Sequence, residues 1–226
     1  MDAADPMAWI AIAALLPIAM WLLSGLVRAR AVSPELGRKA LHIVTGLVVL
    51  SFPWSVGRPG PVLGLFVLAA GWLFAVRRLA SLRRRFGDVL FAAGRNSWGE
   101  IYFVCGSCLT FLTARGDALR FALPMLILIS ADSAAALVGA RAGAHRLSIG
   151  SCAKSIEGCA AFFMVALCCS IAALAMFVPS LSAFEVVAIA LQLALVTTVL
   201  EACGNHGSDN FLIPVGAAWL LPRLLP

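Results

Sequence analysis

Asp132 interrupts an apolar run, residues 119–140, in which Arg120 is the one other charged residue. A carboxylate at membrane depth costs a few kcal/mol, about 2.5–3.5 on insertion scales. It therefore calls for a cationic partner across a helix bundle or for a metal ion, and the residues that follow favour the metal. Gly139 and Gly143 bracket a tight exit from the run, and absent side chains let a phosphate approach a backbone. Lys154, Ser155, Glu157 and Gly158 then open the next apolar stretch. That order places a cation and a hydroxyl at a helix N-terminus, where amides and the helix dipole attract phosphate. Glu157 either binds a metal or caps the helix. Between an intramembrane aspartate and a membrane re-entry, these residue types describe a nucleotide–metal site.

Two more segments offer matching chemistry. Glu201 directly continues the apolar run 184–203, and Gly207-Ser208-Asp209-Asn210 forms the loop before Phe211. Asp209 and Asn210 can both present oxygen to a hard cation, or they form a turn and a helix cap. Nearer the N-terminus, Glu35, Arg38, Lys39 and His42 follow i, i+3, i+4, i+7 spacing, so on a helix they share one face. Such a face can hold a phosphate, position a base, or anchor an interfacial helix by its positive charge. Arg83, Arg84 and Arg85 fit a headgroup or topology patch better than a catalytic device.

The elements that position these groups must be membrane helices. Of the 226 residues 62% are hydrophobic and only 12% charged, about half the charge of a typical soluble domain. A spanning helix needs about 20 apolar residues and satisfies its own backbone inside lipid. Candidate spans are 8–27, 40–56, 61–76, 99–114, 118–139, 158–178, 184–203 and 211–221, the last being short. An all-α, polytopic transmembrane bundle of about seven to eight spans follows, as a single integral membrane domain over residues 1–226. The first span is read as retained, because Asp2 and Asp5 precede it where a signal peptide carries basic residues.

The net charge of +6 resides in short loops, which suits anionic headgroups and orientation signals and gives no reason to expect a nucleic-acid partner. One alternate set of loops holds Arg58, Arg115, Arg120 and Arg223, and the opposite set holds every other Lys and Arg. By the positive-inside rule the richer set faces the cytoplasm and the N-terminus lies outside. Glu35, His42, Arg95, Asn96, Glu100, Asp132, Lys154, Glu157, Glu201, Asp209 and Asn210 all fall in or beside that layer. A passive scaffold has little reason for such one-sided clustering. The seven cysteines mostly sit within apolar stretches as small hydrophobes. Cys105 and Cys108 form a C-x-x-C without a second pair or a histidine at ligand spacing.

In combination these segments resemble the polyprenol kinase family, which includes dolichol kinases, phytol kinases and yeast-type CTP-dependent diacylglycerol kinases. The resemblance is carried by ELGRKALH at 35–42, by Gly99-Glu100-Ile101 within WGEIYFVCG, and by Asp132, Ala135, Gly139 and Gly143 in DSAAALVGARAG. It continues through Lys154-Ser155-Ile156-Glu157-Gly158 to Glu201 and Asp209-Asn210, covering roughly residues 33–215 in the family's order. The Lys-Ser-x-Glu-Gly block is the most specific part and is shared with phosphatidate cytidylyltransferases. The stretch 204–208, with His206, matches the family pattern inexactly.

The resemblance implies a helical membrane enzyme of the cytoplasmic membrane that uses CTP and a divalent metal, Mg2+, to phosphorylate a lipid hydroxyl. Polyprenol, phytol and diacylglycerol are all possible acceptors. Asp132, with Glu157 or Asp209, is expected to hold the metal. Gly139, Gly143, Lys154, Ser155, Gly158, Arg38 and Lys39 are expected around the nucleotide. Lys154 would neutralise the transferring phosphoryl group, and Glu201 or His42 would take the hydroxyl proton, with Glu35, Glu100 and Asn210 as further motif residues. A cytidylyltransferase is the neighbouring enzyme reading, against which the ELGRKALH block counts. A transporter or a non-catalytic subunit is the reading from another class, although transporter sites tend toward the midplane and come with inverted repeats.

Overall fold

The computed structural model describes residues 6–55, 59–91, 97–149 and 152–226. Asp2, Asp5, Arg58, Arg95 and Asn96, named above on sequence grounds, lie outside the described residues. Two compact units make up the chain, Met1–Cys105 and Gly106–Pro226. The dividing line falls inside a helix.

The first unit is formed by α1 (Pro6–Arg28), α2 (Pro34–Leu50), α3 (Phe52–Ser55), α4 (Pro59–Arg78), α5 (Ala80–Phe86), α6 (Asp88–Phe91) and the first part of α7 (Gly99–Ala114). α2 starts six residues before the apolar stretch that marks it in the sequence, because Ser33 caps it. The Ser33 hydroxyl accepts from the Leu36 amide at 3.3 Å, and Pro34 occupies the first turn, where its missing N–H costs nothing. The whole ELGRKALH segment is therefore helical and continuous with the span behind it. In α1, Trp72 Nε1 of α4 donates to Met20 Sδ at 3.3 Å, and the Ser24 hydroxyl donates to the Phe86 carbonyl at 2.9 Å.

The second unit follows α7 with α8 (Ala118–Ala142), a hairpin of β1 (Arg146–Ile149) and β2 (Cys152–Ser155), α9 (Ile156–Phe177), α10 (Ala183–Cys203) and α11 (Asp209–Leu224). α8 is the centre of this unit. Two thirds of its apolar window is buried (67%), against 28% for α9 and 33% for α10. It packs on α9 and α11, and α9 packs in turn on α10. A helix enclosed by protein can carry Asp132 without presenting it to lipid, whereas α9 and α10 keep large apolar side chains outside, such as Met164 and Val199.

Each expected span overlaps a helix, with 40–56 reaching past α2 into the separate α3, and the chain is an all-α polytopic bundle. Five helices are long and apolar enough to cross a membrane: Trp9–Arg28, Pro59–Arg78, Ala118–Ala142, Ile156–Phe177 and Ala183–Cys203. α2, α7 and α11 are shorter, at 17, 16 and 16 residues, near the lower limit for spanning. The hairpin Arg146–Ser155 is the element that hydropathy did not reveal. It pairs antiparallel, with Arg146 opposite Ser155 and Leu147 opposite Lys154.

Candidate active site

The hairpin decides where two neighbouring side chains go. Successive residues of a strand project to opposite faces, so Lys154 and Ser155, adjacent in β2, serve different purposes. The Lys154 ammonium donates to Glu201 Oε1 at 2.5 Å and to Asp209 Oδ2 at 3.2 Å. This joins the hairpin to the last turn of α10 and the first residue of α11. Glu201 is the most enclosed of the three, its side chain 4% exposed, with Asp209 at 15% and Lys154 at 25%. Burial alone lowers the lysine pKa, but Asp209, Glu201 and then Asp132 outweigh it and raise the pKa above the ordinary lysine range. Lys154 is thus a fixed cation among three carboxylates.

Ser155 turns the other way and caps α9, its hydroxyl accepting from the Gly158 amide at 3.0 Å. Its side chain fills the room left by three glycines. A Cβ on Gly139 would come within 3.0 Å of Ser155 Oγ, and one on Gly158 within 2.9 Å of the same atom. A Cβ on Gly143 would stand 2.3 Å from the Gly139 carbonyl oxygen and 2.9 Å from Ser155 Cβ. Gly139, Gly143, Ser155 and Gly158 are therefore brought together, in a joint between the end of α8 and the start of α9. What fills the space beside them here is a serine side chain.

Glu157 accepts from the His145 amide at 3.2 Å and pairs with His145 Nδ1 at 2.6 Å. The Ile156 amide also donates to the His145 carbonyl at 3.0 Å. Glu157 thereby closes the base of the hairpin. Asp132 is 7% exposed and Asn210 also 7%. Asp209 Oδ1 accepts from the Asn210 amide at 3.0 Å while its other oxygen holds Lys154. Gly106 lets α7 close on this turn, since a Cβ there would lie 2.8 Å from the Asn210 carbonyl oxygen. The stretch 204–208 is a tight reversal with left-handed His206 (φ 48°) and Gly207 (φ 90°). It returns the chain so closely that a Cβ on Gly204 would meet Asp209 Cβ at 2.7 Å.

In the first unit, Glu35, Arg38, Lys39 and His42 lie on α2 as their spacing predicts. Arg38 donates to Glu35 at 2.6 Å, Lys39 is 7% exposed, and the His42 ring meets Phe103 edge-on at 5.1 Å. Glu100 is held by Arg77 at 3.0 Å, the two side chains 15% and 9% exposed. The Arg77 guanidinium also donates to the Ser97 carbonyl and stacks 4.5 Å from the centre of the Trp98 ring.

Sequence reasoning missed His145, Cys159, Arg77 and Gly106. Cys159 donates to Glu201 Oε2 at 3.7 Å, so both oxygens of that carboxylate are engaged. Arg77 stood among loop arginines with nothing to distinguish it. For His145, the twelve-residue separation from Glu157 acquires meaning only once a hairpin closes it.

The donor chemistry fits a hard divalent cation: Asp132, Asp209 and Glu201 supply carboxylate oxygens around one ammonium. Among the described residues, no three His, Cys, Asp or Glu side chains converge at metal-ligand spacing. Mg2+ commonly binds through one or two carboxylates together with substrate phosphates, an arrangement that needs no preformed cage.

A phytol kinase from Synechocystis sp. is 30% identical to this chain over 226 residues, spanning 95% of the chain and 92% of the relative. No family model matches the chain, and no solved structure does. On that similarity over nearly the full length of both proteins, the chain belongs to the polyprenol kinase family, the group that includes phytol kinases.

Proposed function

We propose that this protein is a kinase that transfers the terminal phosphoryl group of CTP to the hydroxyl of a membrane lipid alcohol at the cytoplasmic face. The carrying observation is the end-to-end similarity to a phytol kinase, which makes phytol the first acceptor to test. The cluster of Lys154, Glu201 and Asp209 with Asp132 supports it chemically. Phosphoryl transfer needs little covalent help from a protein and depends on positioned charge.

Lys154 is assigned to the transferring phosphoryl group. Glu201 and Asp209 orient its ammonium and keep it protonated. Asp132 and Asp209 would hold Mg2+, which when bound would offset the charge of the nucleotide phosphates. Glu157, paired with His145, is the alternative ligand beside Asp132. Gly139, Gly143, Ser155 and Gly158 support the nucleotide through the joint that fixes Lys154 beside them. Arg38 and Lys39 add positive charge for phosphates. Glu201 and His42 are the two candidates for accepting the hydroxyl proton. Because both Glu201 oxygens are engaged, a positioning role suits Glu201 better.

The test is incubation of the purified protein in detergent with Mg2+, γ-labelled CTP or ATP, and phytol, polyprenols or diacylglycerol. Label in one lipid, favoured by CTP and lost in Asp132→Asn, is the expected result. Pyrophosphate release when phosphatidate is supplied, without labelled lipid, would overturn it in favour of a cytidylyltransferase.

A further inference from the structure

The first unit holds a second concentration of charge, apart from the residues assigned to phosphoryl transfer. α1 ends on Arg28 and α4 on Arg77 and Arg78, while α5 carries Arg83, Arg84 and Arg85 in its last turn. The contacts advance along α1 and this segment together, Met20 with Trp72, Ser24 with Phe86, and Arg28 with the Arg84 carbonyl at 3.0 Å. The ends of two membrane-length helices and the whole of α5 therefore meet at one boundary.

Within that boundary two arginines are spent internally, Arg77 on Glu100 and Arg28 on Asp88. Arg28 pairs with Asp88 at 2.6 Å and donates to the carbonyls of Arg84 and Arg85. It neutralises the local carboxylate and ties down the C-terminal end of α5. Arg30, Arg78, Arg83, Arg84 and Arg85 are all exposed and make no ion pair among the described residues. Three of them rest on rings: Arg78 at 5.1 Å from the centre of Phe74, Arg83 at 4.7 Å from Phe91, and Arg85 at 5.9 Å from Phe86. Ring contact limits the freedom of a guanidinium while leaving its N–H fork available. Leu26, Phe74 and Leu79, in or next to the last turns of the same helices, are exposed apolar side chains.

We propose that this cluster is a binding site for an anionic phospholipid that stays with the protein as a resident lipid. The arginine forks take the headgroup phosphate, for which guanidinium is the matched donor, and the acyl chains cover these apolar side chains. A general preference for positive charge in such loops explains why arginines are there. It does not explain why Asp88 is cancelled by Arg28, or why rings hold three guanidinium groups in place. The arginines stand at the ends of membrane-length helices beside the lipid-facing Leu26 and Phe74, which favours a phosphate that arrives with acyl chains over that of a free nucleotide.

The experiment uses the full chain in nanodiscs of mixed phosphatidylglycerol and phosphatidylcholine, with retained lipid counted by native mass spectrometry. Wild type is expected to retain phosphatidylglycerol above its bulk fraction. Replacing Arg83, Arg84 and Arg85 together by Gln should weaken that retention about a hundredfold, since each arginine near an anionic surface contributes roughly fivefold. Replacement of the same three by Lys, which restores the charge without the fork, should recover only part of it. Raising salt from about 0.05 M to about 0.5 M should release the lipid from wild type. Equal retention of the two lipids by wild type, unchanged enrichment in the Gln variant, or displacement of the lipid by free CTP would each overturn the proposal. If the Gln variant fails to fold, the salt titration decides, and salt-insensitive enrichment counts against it.

Discussion

Lys154 and Asp132 are expected to dominate activity, for different reasons. Removing the ammonium in Lys154→Met should lower kcat by about 10²–10³, the usual effect of deleting one transition-state electrostatic contact. Nucleotide KM should change less. Asp132→Asn should also cost at least a hundredfold in kcat while leaving the protein folded, because the amide keeps the volume of a group that is 7% exposed. Retention of near wild-type turnover by Asp132→Asn would rule out the metal-ligand role proposed for it. Lys154 also carries a sign-definite pH expectation. Its folded pKa lies above the unfolded value, so its stabilising contribution is complete below about pH 10 and is lost only as pH rises through the folded pKa. The melting-temperature gap between wild type and Lys154→Met should therefore stay constant from about pH 6 to about pH 9. A gap that narrows across that window would show the ion pair to be weaker than the geometry implies.

At the scale of elements, the α8–α9 joint and the Arg77–Glu100 pair make separable predictions. Gly139→Ala should destabilise by about 1–2 kcal/mol, because its Cβ would press on Ser155 Oγ at 3.0 Å. Ser155→Ala alone should cost about 1 kcal/mol through the lost cap. In the double variant the crowding atom is gone, so the combined loss should be smaller than the sum of the two. Strict additivity in melting temperatures would mean that the contact is not a constraint. Glu100→Gln should destabilise by about 3 kcal/mol, since it leaves the Arg77 guanidinium enclosed without its counter-charge. Glu35→Gln should cost under about 1 kcal/mol, its side chain being 46% exposed. The helices were legible from sequence because runs such as 184–203 are apolar over a membrane's thickness. The hairpin was not. Arg146–Ser155 lies between two such runs, where its short strands carry too little apolar alternation to distinguish it from a loop.

For the whole molecule, the bilayer acts as a solvent that reverses the usual burial pattern. Phe184 is 82% exposed, Val67 71% and Val199 60%, positions that would promote association in water and instead meet lipid. Thr197, at 0% exposure, turns inward and bonds the Leu193 carbonyl at 2.7 Å. A polar substitution such as Val199→Asp should therefore impair membrane insertion, by less than the roughly 2.5–3.5 kcal/mol of a helix centre because it lies near the end of α10, measured as loss of membrane-extracted protein. The loop charges predict an N-terminus outside and the Lys154 hairpin inside. Tags at residue 1 and in the hairpin should show opposite accessibility in sealed vesicles, and equal accessibility would refute that orientation.

The amino-acid sequence determined the helical membrane architecture and nominated Asp132, Lys154, Glu201 and Asp209. It could do so because charges in apolar surroundings are costly enough to stand out in a linear reading. Only the tertiary structure decided which of the nominated residues meet. Lys154 reaches Glu201 and Asp209 across separations of 47 and 55 residues, whereas Glu157, three residues from Lys154, is engaged by His145. Strand alternation at β2 makes that division, sending Lys154 to the carboxylates and Ser155 to the glycines. The physical reason is that contact depends on which face a backbone presents, and the face is set by pairing partners distant in the chain.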